Sequence, residues 1–263
     1  MQFAKINGIT VHYADIGPRD GFPVVFANSL GTDLRVWDKV IPLLPEGLRI
    51  VTYDKRGHGL TDAPRAPYFM GDLVQDAAAL LDFLGIKGCA FVGLSVGGII
   101  AQGLAAERPD LVGGMVLSNT AAKIGTPERW QARIDSVRKD GIAAIADNIL
   151  DLWFTKTFRE TNPEELSIWK NMLSRTPVEG YVGCCAAIAE TDLLESTARL
   201  TLPTLVIAGA EDGSTPPDLV RETAELVRDH EFHVIRKAGH IPGVEQPAIV
   251  AELISAFVEK IRQ

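Results

Sequence analysis

At 263 residues, 46% apolar and 23% charged, the chain has an ordinary globular balance and enough length to bury a core without disulfide or metal staples. The formal net charge of −8, with no Lys/Arg cluster to offset it, argues against nucleic acid as a partner and requires local cations for any anionic ligand. No apolar run approaches the ~18 residues of a membrane span, and the start Met1-Gln2-Phe3-Ala4-Lys5 lacks the layout of a signal peptide, so a cytoplasmic protein with no membrane partner is expected.

In chain order, Phe3 to Ile6, Asn7-Gly8 and Ile9 to Ile16 read as a β-hairpin, because Asn-Gly between apolar runs is a two-residue turn signal. Short apolar strands bounded by turn residues follow at Pro23–Ala27, Leu48–Tyr53, Cys89–Val92, Gly113–Ser118, Thr204–Ala208 and Glu231–Ile235. Helical patterns lie between several of them, at Asp72–Leu84, Val96–Glu107, Pro217–Arg228 and Gln246–Ile261. Such alternation predicts an α/β fold around a mostly parallel central sheet flanked by helices. It breaks between residues 121 and 198, where helices are predicted at Pro127–Val137, Ile142–Trp153, Pro163–Ser174 and Val178–Ala189. The reading is a core of residues 1–120 and 199–263 carrying a helical cap insertion of residues 121–198. Thr126-Pro127-Glu128 marks the first cap helix as N-cap, first-turn proline and acidic first turn. Cys89, Cys184 and Cys185 form no C-x-x-C and are odd in number, so three structural thiols are expected, with no metal site and no cofactor.

Gly93-Leu94-Ser95-Val96-Gly97 is G-x-S-x-G between a strand and a helical pattern. The glycines let the backbone pass a tight turn that exposes a serine hydroxyl at a helix N-terminus, and the Val96 amide can then face a developing oxyanion. A serine needs a base, and the base needs an acid to orient it. Among five histidines, His240 sits in the Gly/Pro-bounded loop Lys237-Ala238-Gly239-His240-Ile241-Pro242 after the last strand. His12 and His233 fall in strand patterns, His230 lies in a polar turn, and His58 is a weaker loop competitor. The acid belongs between serine and histidine in chain order. Asp212 ends the strand Thr204–Ala208 in this way, although spacing leaves Glu211 open beside it.

With these pieces in place, the chain resembles the α/β-hydrolase superfamily over essentially its whole length. The matching stretches are Tyr53-Asp54-Lys55-Arg56-Gly57-His58-Gly59, the Ser95 turn, Gly209 to Pro216, and Ala238-Gly239-His240 with Glu245-Gln246-Pro247. The resemblance implies a second oxyanion donor after the third strand, where the usual His-Gly is Asn28-Ser29 here, so the donor would be the Leu30 amide. The loop Asn28-Ser29-Leu30-Gly31-Thr32 with Trp37-Asp38, and the cap run Thr126 to Arg133, further resemble the 3-oxoadipate enol-lactonases of bacterial aromatic catabolism. That likeness implies a small anionic lactone as the ligand, with Ser29, Trp130, Arg133 and Trp153 lining its site. A homo-oligomer is compatible with the sequence.

The anionic substrate fits one cap residue. Trp130, Ile134 and Val137 form an apolar stripe at i, i+4 and i+7, and Arg133 lies on or beside it. A substrate carboxylate would pair with this guanidinium; the alternatives are solvent, Glu128 or Asp135. Competing functions are a carboxylesterase, a C–C bond hydrolase or a perhydrolase on the same scaffold, and a ligand-binding sensor that retains the fold. Ser95 disfavours the haloalkane dehalogenases and epoxide hydrolases that use aspartate at this position.

Overall fold

The computed structural model describes residues 1–262. Eight strands form one sheet: β1 (Gln2–Ile6), β2 (Ile9–Ile16), β3 (Phe22–Ala27), β4 (Leu48–Tyr53), β5 (Cys89–Leu94), β6 (Val112–Ser118), β7 (Thr204–Gly209) and β8 (His230–Ile235). Their spatial order is β1-β2-β4-β3-β5-β6-β7-β8. The β1–β2 hairpin turns on Asn7 and Gly8 at φ 45° and 80°, the double left-handed geometry that the Asn-Gly pair predicts. β2 pairs antiparallel with β4, and every later pairing is parallel. Val24 to Ala27, Cys89 to Leu94 and Thr204 to Gly209 are buried throughout, as expected of strands covered on both faces.

The core helices are α1 (Met70–Leu84) and α2 (Val96–Glu107). Between β6 and β7 come six more: α3 (Pro127–Asp140), α4 (Ala146–Trp153), α5 (Lys156–Thr161), α6 (Pro163–Ser174), α7 (Val178–Ala189) and α8 (Leu194–Thr197). The chain then closes with α9 (Pro217–Leu226), α10 (Pro242–Glu245) and α11 (Pro247–Ile261). The helix predicted from Asp72 starts two residues earlier, because the Asp72 carboxylate reaches back to accept the Phe69 N–H at 2.9 Å. The helix predicted over Ile142–Trp153 is a 3-10 turn, Ile142–Ile145, followed by α4. Gly141 at φ 78° ends α3 and sets this break. The short α5, α8 and α10 carry too few turns for a periodic pattern to be read. Thr126 caps α3 as predicted, its hydroxyl accepting the Arg129 N–H.

Inside the helical insertion, Phe154 stacks on Phe158 at 4.7 Å between ring centroids, and Trp169 lies 6.1 Å from Phe154. The three cysteines are buried and free; burial pushes Cys184 up to about 11 and Cys89 to about 12, so neither thiol is a ready nucleophile. No helix among the described residues is long and apolar enough to cross a membrane.

The insertion meets the core at a point where no side chain fits. A Cβ on Gly180 of α7 would lie 2.0 Å from the Gly57 carbonyl oxygen in the loop after β4. Gly180→Ala is therefore expected to push α7 off that loop and destabilise the protein by about 1–3 kcal/mol. A melting temperature equal to wild type in a thermal scan would refute this contact as a packing constraint.

Candidate active site

The residues that carry chemistry stand at the carboxyl ends of adjacent parallel strands, where open α/β sheets gather ligand groups. Ser95 follows β5, Asn119 follows β6, Asp212 follows β7 and His240 follows β8. The loop of residues 28–32 follows β3, beside β5.

Ser95 is the N-cap of α2 and holds φ 57°, ψ −118°, outside the regions that non-glycine residues populate. Its neighbours make the turn possible. A Cβ on Gly93 would sit 2.2 Å from the Gly97 carbonyl oxygen, and one on Gly97 would sit 2.3 Å from that of Ala27. The Ser95 backbone is pinned by its N–H to Ser118 (2.9 Å) and by the Thr120 hydroxyl, which donates to its carbonyl (2.6 Å). These bonds hold the strained turn in place and leave the side chain to the cavity.

His240 is buried, and its ring is held by Asp212, with Nδ1 donating to Oδ2 at 2.9 Å. Asp212 accepts four further hydrogen bonds: from Asn119 Nδ2 (2.8 Å) and Thr215 Oγ1 (2.7 Å), and from the N–H groups of Ser214 (2.7 Å) and Thr215 (3.0 Å). Burial alone pushes its carboxyl upward, but the charge and hydrogen bond of His240, with those of Asn119 and Thr215, outweigh burial and hold it below the usual carboxylate range. Glu211 is exposed and takes no part, which separates the two adjacent acids. Asn119 and Thr215, which hold the Asp212 carboxylate, are not among the residues the sequence singles out. Thr215, three residues beyond the acid, has a local signal in that spacing, whereas Asn119 has none in the sequence and takes its left-handed place (φ 49°) only in the fold.

One cavity is lined by Ser29, Leu30, Ser95, Trp130, Arg133, Trp153 and His240, and by the exposed Arg129. His240 Nε2 is 3.4 Å from Ser29 Oγ; Ser95 faces the same cavity without hydrogen-bonding the ring. The Leu30 and Val96 amides donate no hydrogen bond among the described residues, so both N–H groups are available to a developing oxyanion. Arg133 is half-buried, lies 5.0 Å over the Trp130 ring and forms no ion pair among the described residues; Asp135 accepts from Gln131 instead. Trp130 spends its indole N–H on the Ile124 carbonyl at 2.6 Å, so it serves as wall and cation platform rather than as a donor.

The other histidines are engaged elsewhere. His58 is buried and held well below the ordinary imidazole value, by burial first and then by the charge of Lys55. Its Nδ1 donates to the Arg56 carbonyl (3.2 Å), leaving Nε2 to accept the Gly31 N–H (2.9 Å). It braces the loop of residues 28–32 and lies outside the cavity. His12 pairs with Asp54 at 2.7 Å beside a larger cleft of 470 Å³. Asp54 there also takes the N–H groups of Leu34 and Leu60, and no serine faces the pair. His230 donates to the Val227 carbonyl, and His233 is a surface residue. No group of three or more metal-ligating side chains occurs among the described residues.

Backbone bonds join the two loops to the inserted helices. The Gly213 N–H donates to Leu152 (3.2 Å) and the His240 N–H to Trp153 (2.7 Å), both carbonyls of the last turn of α4. Glu245 adds a clamp: Oε2 accepts the Gly239 N–H (2.7 Å), and Oε1 accepts the hydroxyl (2.7 Å) and N–H (3.1 Å) of Thr155.

The alpha/beta hydrolase fold family matches residues 23–247, and the chain belongs to that family. It is 36% identical to 3-oxoadipate enol-lactonase 2 of Acinetobacter baylyi, an alignment covering 96% of this chain and 94% of that protein. The crystal structure of the enol-lactonase from Burkholderia xenovorans superposes with a TM-score of 0.95 at 35% identity, over 98% of this chain and 100% of that one. A thermophilic esterase from Thermogutta terrifontis gives a TM-score of 0.94 at 28% identity, with both chains fully covered.

If Asp212 sets the His240 tautomer, Asp212→Asn keeps the shape but inverts the bond, and kcat is expected to fall on the order of 10⁴-fold. A hydrolysis assay on the purified variant checks this; a loss below about 10-fold would remove Asp212 from the role.

Proposed function

We propose that the protein is a serine hydrolase that opens the ring of an anionic enol-lactone of the 3-oxoadipate type through an acyl-enzyme on Ser95. One observation carries the reading. A single cavity joins a strained helix-capping serine, an imidazole oriented by a buried carboxylate, and two arginines, Arg129 and Arg133, that form no ion pair among the described residues. The similarity to enol-lactonases at 36% and 35% identity supports the lactone as substrate and a role in bacterial aromatic catabolism.

In this mechanism His240 Nε2 takes the Ser95 proton as Oγ attacks the lactone carbonyl. Asp212 stabilises the resulting imidazolium, and the N–H groups of Leu30 and Val96 receive the charge that forms on the carbonyl oxygen. Collapse breaks the ring C–O bond. The leaving enolate takes the proton held by the His240 imidazolium, which restores the neutral ring, and its conversion to a ketone draws the ring opening forward. Water deprotonated by His240 then attacks the acyl carbon, and Ser95 leaves with the proton returned to it. Arg133 holds the substrate carboxylate against the wall of Trp130 and Trp153, overcoming locally the net charge of −8.

An absorbance assay of enol-lactone opening beside p-nitrophenyl esters tests the substrate. Faster lactone turnover is expected; faster ester turnover would replace the lactonase by a general esterase, and a single slow turnover with persistent binding would indicate a sensor. Ser95→Ala is expected to lower kcat on the order of 10⁶-fold, and near-wild-type turnover would end the mechanism. Arg133→Leu removes a charged hydrogen-bonding partner, so KM is expected to rise about 10- to 100-fold with kcat little changed. Steady-state kinetics with an unchanged KM would release Arg133 from the carboxylate.

A further inference from the structure

Among the buried lysine and arginine side chains that the mechanism leaves unused, Arg49 and Arg56 are paired with carboxylates and Lys55 is not. Lys55, in the loop after β4, is 2% exposed and forms no ion pair among the described residues. Arg56 beside it is matched with Asp76 through two hydrogen bonds of 2.6 and 2.7 Å. A buried ammonium without a carboxylate is expensive, and burial pushes Lys55 down to about 8. Its Nζ donates to the Ser29 carbonyl in a short hydrogen bond and to the Thr32 carbonyl at 3.2 Å. Both acceptors lie in the loop that carries Leu30.

The Ser29 carbonyl and the Leu30 N–H are the two ends of one peptide group. A positive charge on the oxygen end draws electron density from the nitrogen end, and the N–H becomes a stronger donor. The same carbonyl also accepts the Thr32 hydroxyl (3.0 Å) and the Thr32 N–H (3.2 Å), so the plane is fixed as well as polarised. The Gly31 N–H is committed to His58 and the Thr32 N–H to Ser29, while the Leu30 N–H stays free.

We propose that Lys55 is a positioning residue of the oxyanion hole, whose ammonium orients and polarises the Ser29–Leu30 peptide so that the Leu30 N–H binds the tetrahedral intermediate more strongly than the substrate. This rests on the serine-hydrolase reading. A lactone carbonyl carries little charge in the ground state and a full charge in the tetrahedral state, so the contribution falls on kcat and not on KM.

Lys55→Met keeps the volume of the stem and removes the charge. Neither carbonyl is orphaned, since Ser29 keeps its bonds from Thr32 and Thr32 keeps that from Asn28 Nδ2. Replacing an unpaired buried charge by an apolar group is often neutral or stabilising, so the melting temperature is expected to hold or rise. On the enol-lactone and on p-nitrophenyl acetate, kcat is expected to fall about 10- to 100-fold with KM unchanged. The affinity of an alkylboronic acid, which forms a tetrahedral anion on the serine hydroxyl, should weaken by the same factor, while that of the ring-opened product stays constant. Wild-type kcat in the variant, or parallel losses in kcat, KM and product affinity, would overturn the proposal and leave the hydrolase reading intact. A wild-type protein that turns over neither ester, and whose Ser95 is not labelled by a fluorophosphonate, would sink that reading and this proposal with it. Should Lys55→Met fail to fold, the Leu30 amide proton of the wild type supplies the test by NMR. Asp33, Asp54, His58 and Cys184 are the titratable groups that act on the ammonium, with Arg56 next to it in the chain. The Leu30 resonance should move upfield as Lys55 titrates, and a constant shift across that range would overturn the proposal.

Discussion

The last turn of α4 ends with carbonyls that need donors, and the donors come from the loops that carry Asp212 and His240. Leu152 takes the Gly213 N–H, and Trp153 takes the His240 N–H. Terminating this inserted helix and assembling the acid–base pair are therefore one event. Glu245 reinforces it by bridging Gly239 to Thr155, two residues past the end of α4. Its carboxyl is raised by burial, partly offset by these hydrogen bonds, so the clamp is a half-buried acceptor rather than a surface ion pair. Because Trp153 also lines the cavity, the residue whose backbone N–H fixes it is the one whose imidazole it helps to confine.

How far the sequence reading reached follows from the range of the interactions involved. Ser95 is legible because its turn is local: Gly93, Gly97 and the strand–helix change all lie within a few residues. His240 emerges by comparison with four histidines, each of which has a partner or a surface position elsewhere. Asp212 and Glu211 are adjacent in one turn, so only the folded loop separates a buried acid from an exposed one. Asn119 meets Asp212 across 93 residues, a contact made by strand order that no local pattern encodes. Lys55 was visible within a family-like stretch, but its partners at Ser29 and Thr32 arise only because β3 and β4 are neighbours. In the insertion, one apolar period runs across the 3-10 turn and α4, and so conceals the break after Gly141.

Charge is organised at two distances. The excess of acidic residues acts over the surface, where salt screens it beyond ~8 Å under physiological conditions. Inside, the cations have separate tasks: Arg133 faces the cavity over Trp130, while Lys55 lies behind the Ser29–Leu30 peptide. His58, kept neutral by burial and by that lysine, accepts an N–H that a protonated ring could not. The loop of residues 28–32 is thus braced by a donor and an acceptor from one short stretch after β4.

The bonds between insertion and core are unevenly shared, and this has an evolutionary consequence. α4 is tied to the loops of both Asp212 and His240, and α7 rests on Gly57 through a contact with no room for a side chain. α3, which packs on α7 and bears Trp130 and Arg133, makes neither kind of attachment. Substitution along α3 can therefore reshape that wall of the cavity without breaking a bond to the loops of Asp212 and His240. Change at the end of α4 disturbs the loops of Asp212 and His240, and change at Gly180 disturbs the seat of α7 on Gly57. The insertion is therefore unevenly free to vary, with sequence change expected to collect on α3 sooner than at the attached positions of α4 and α7.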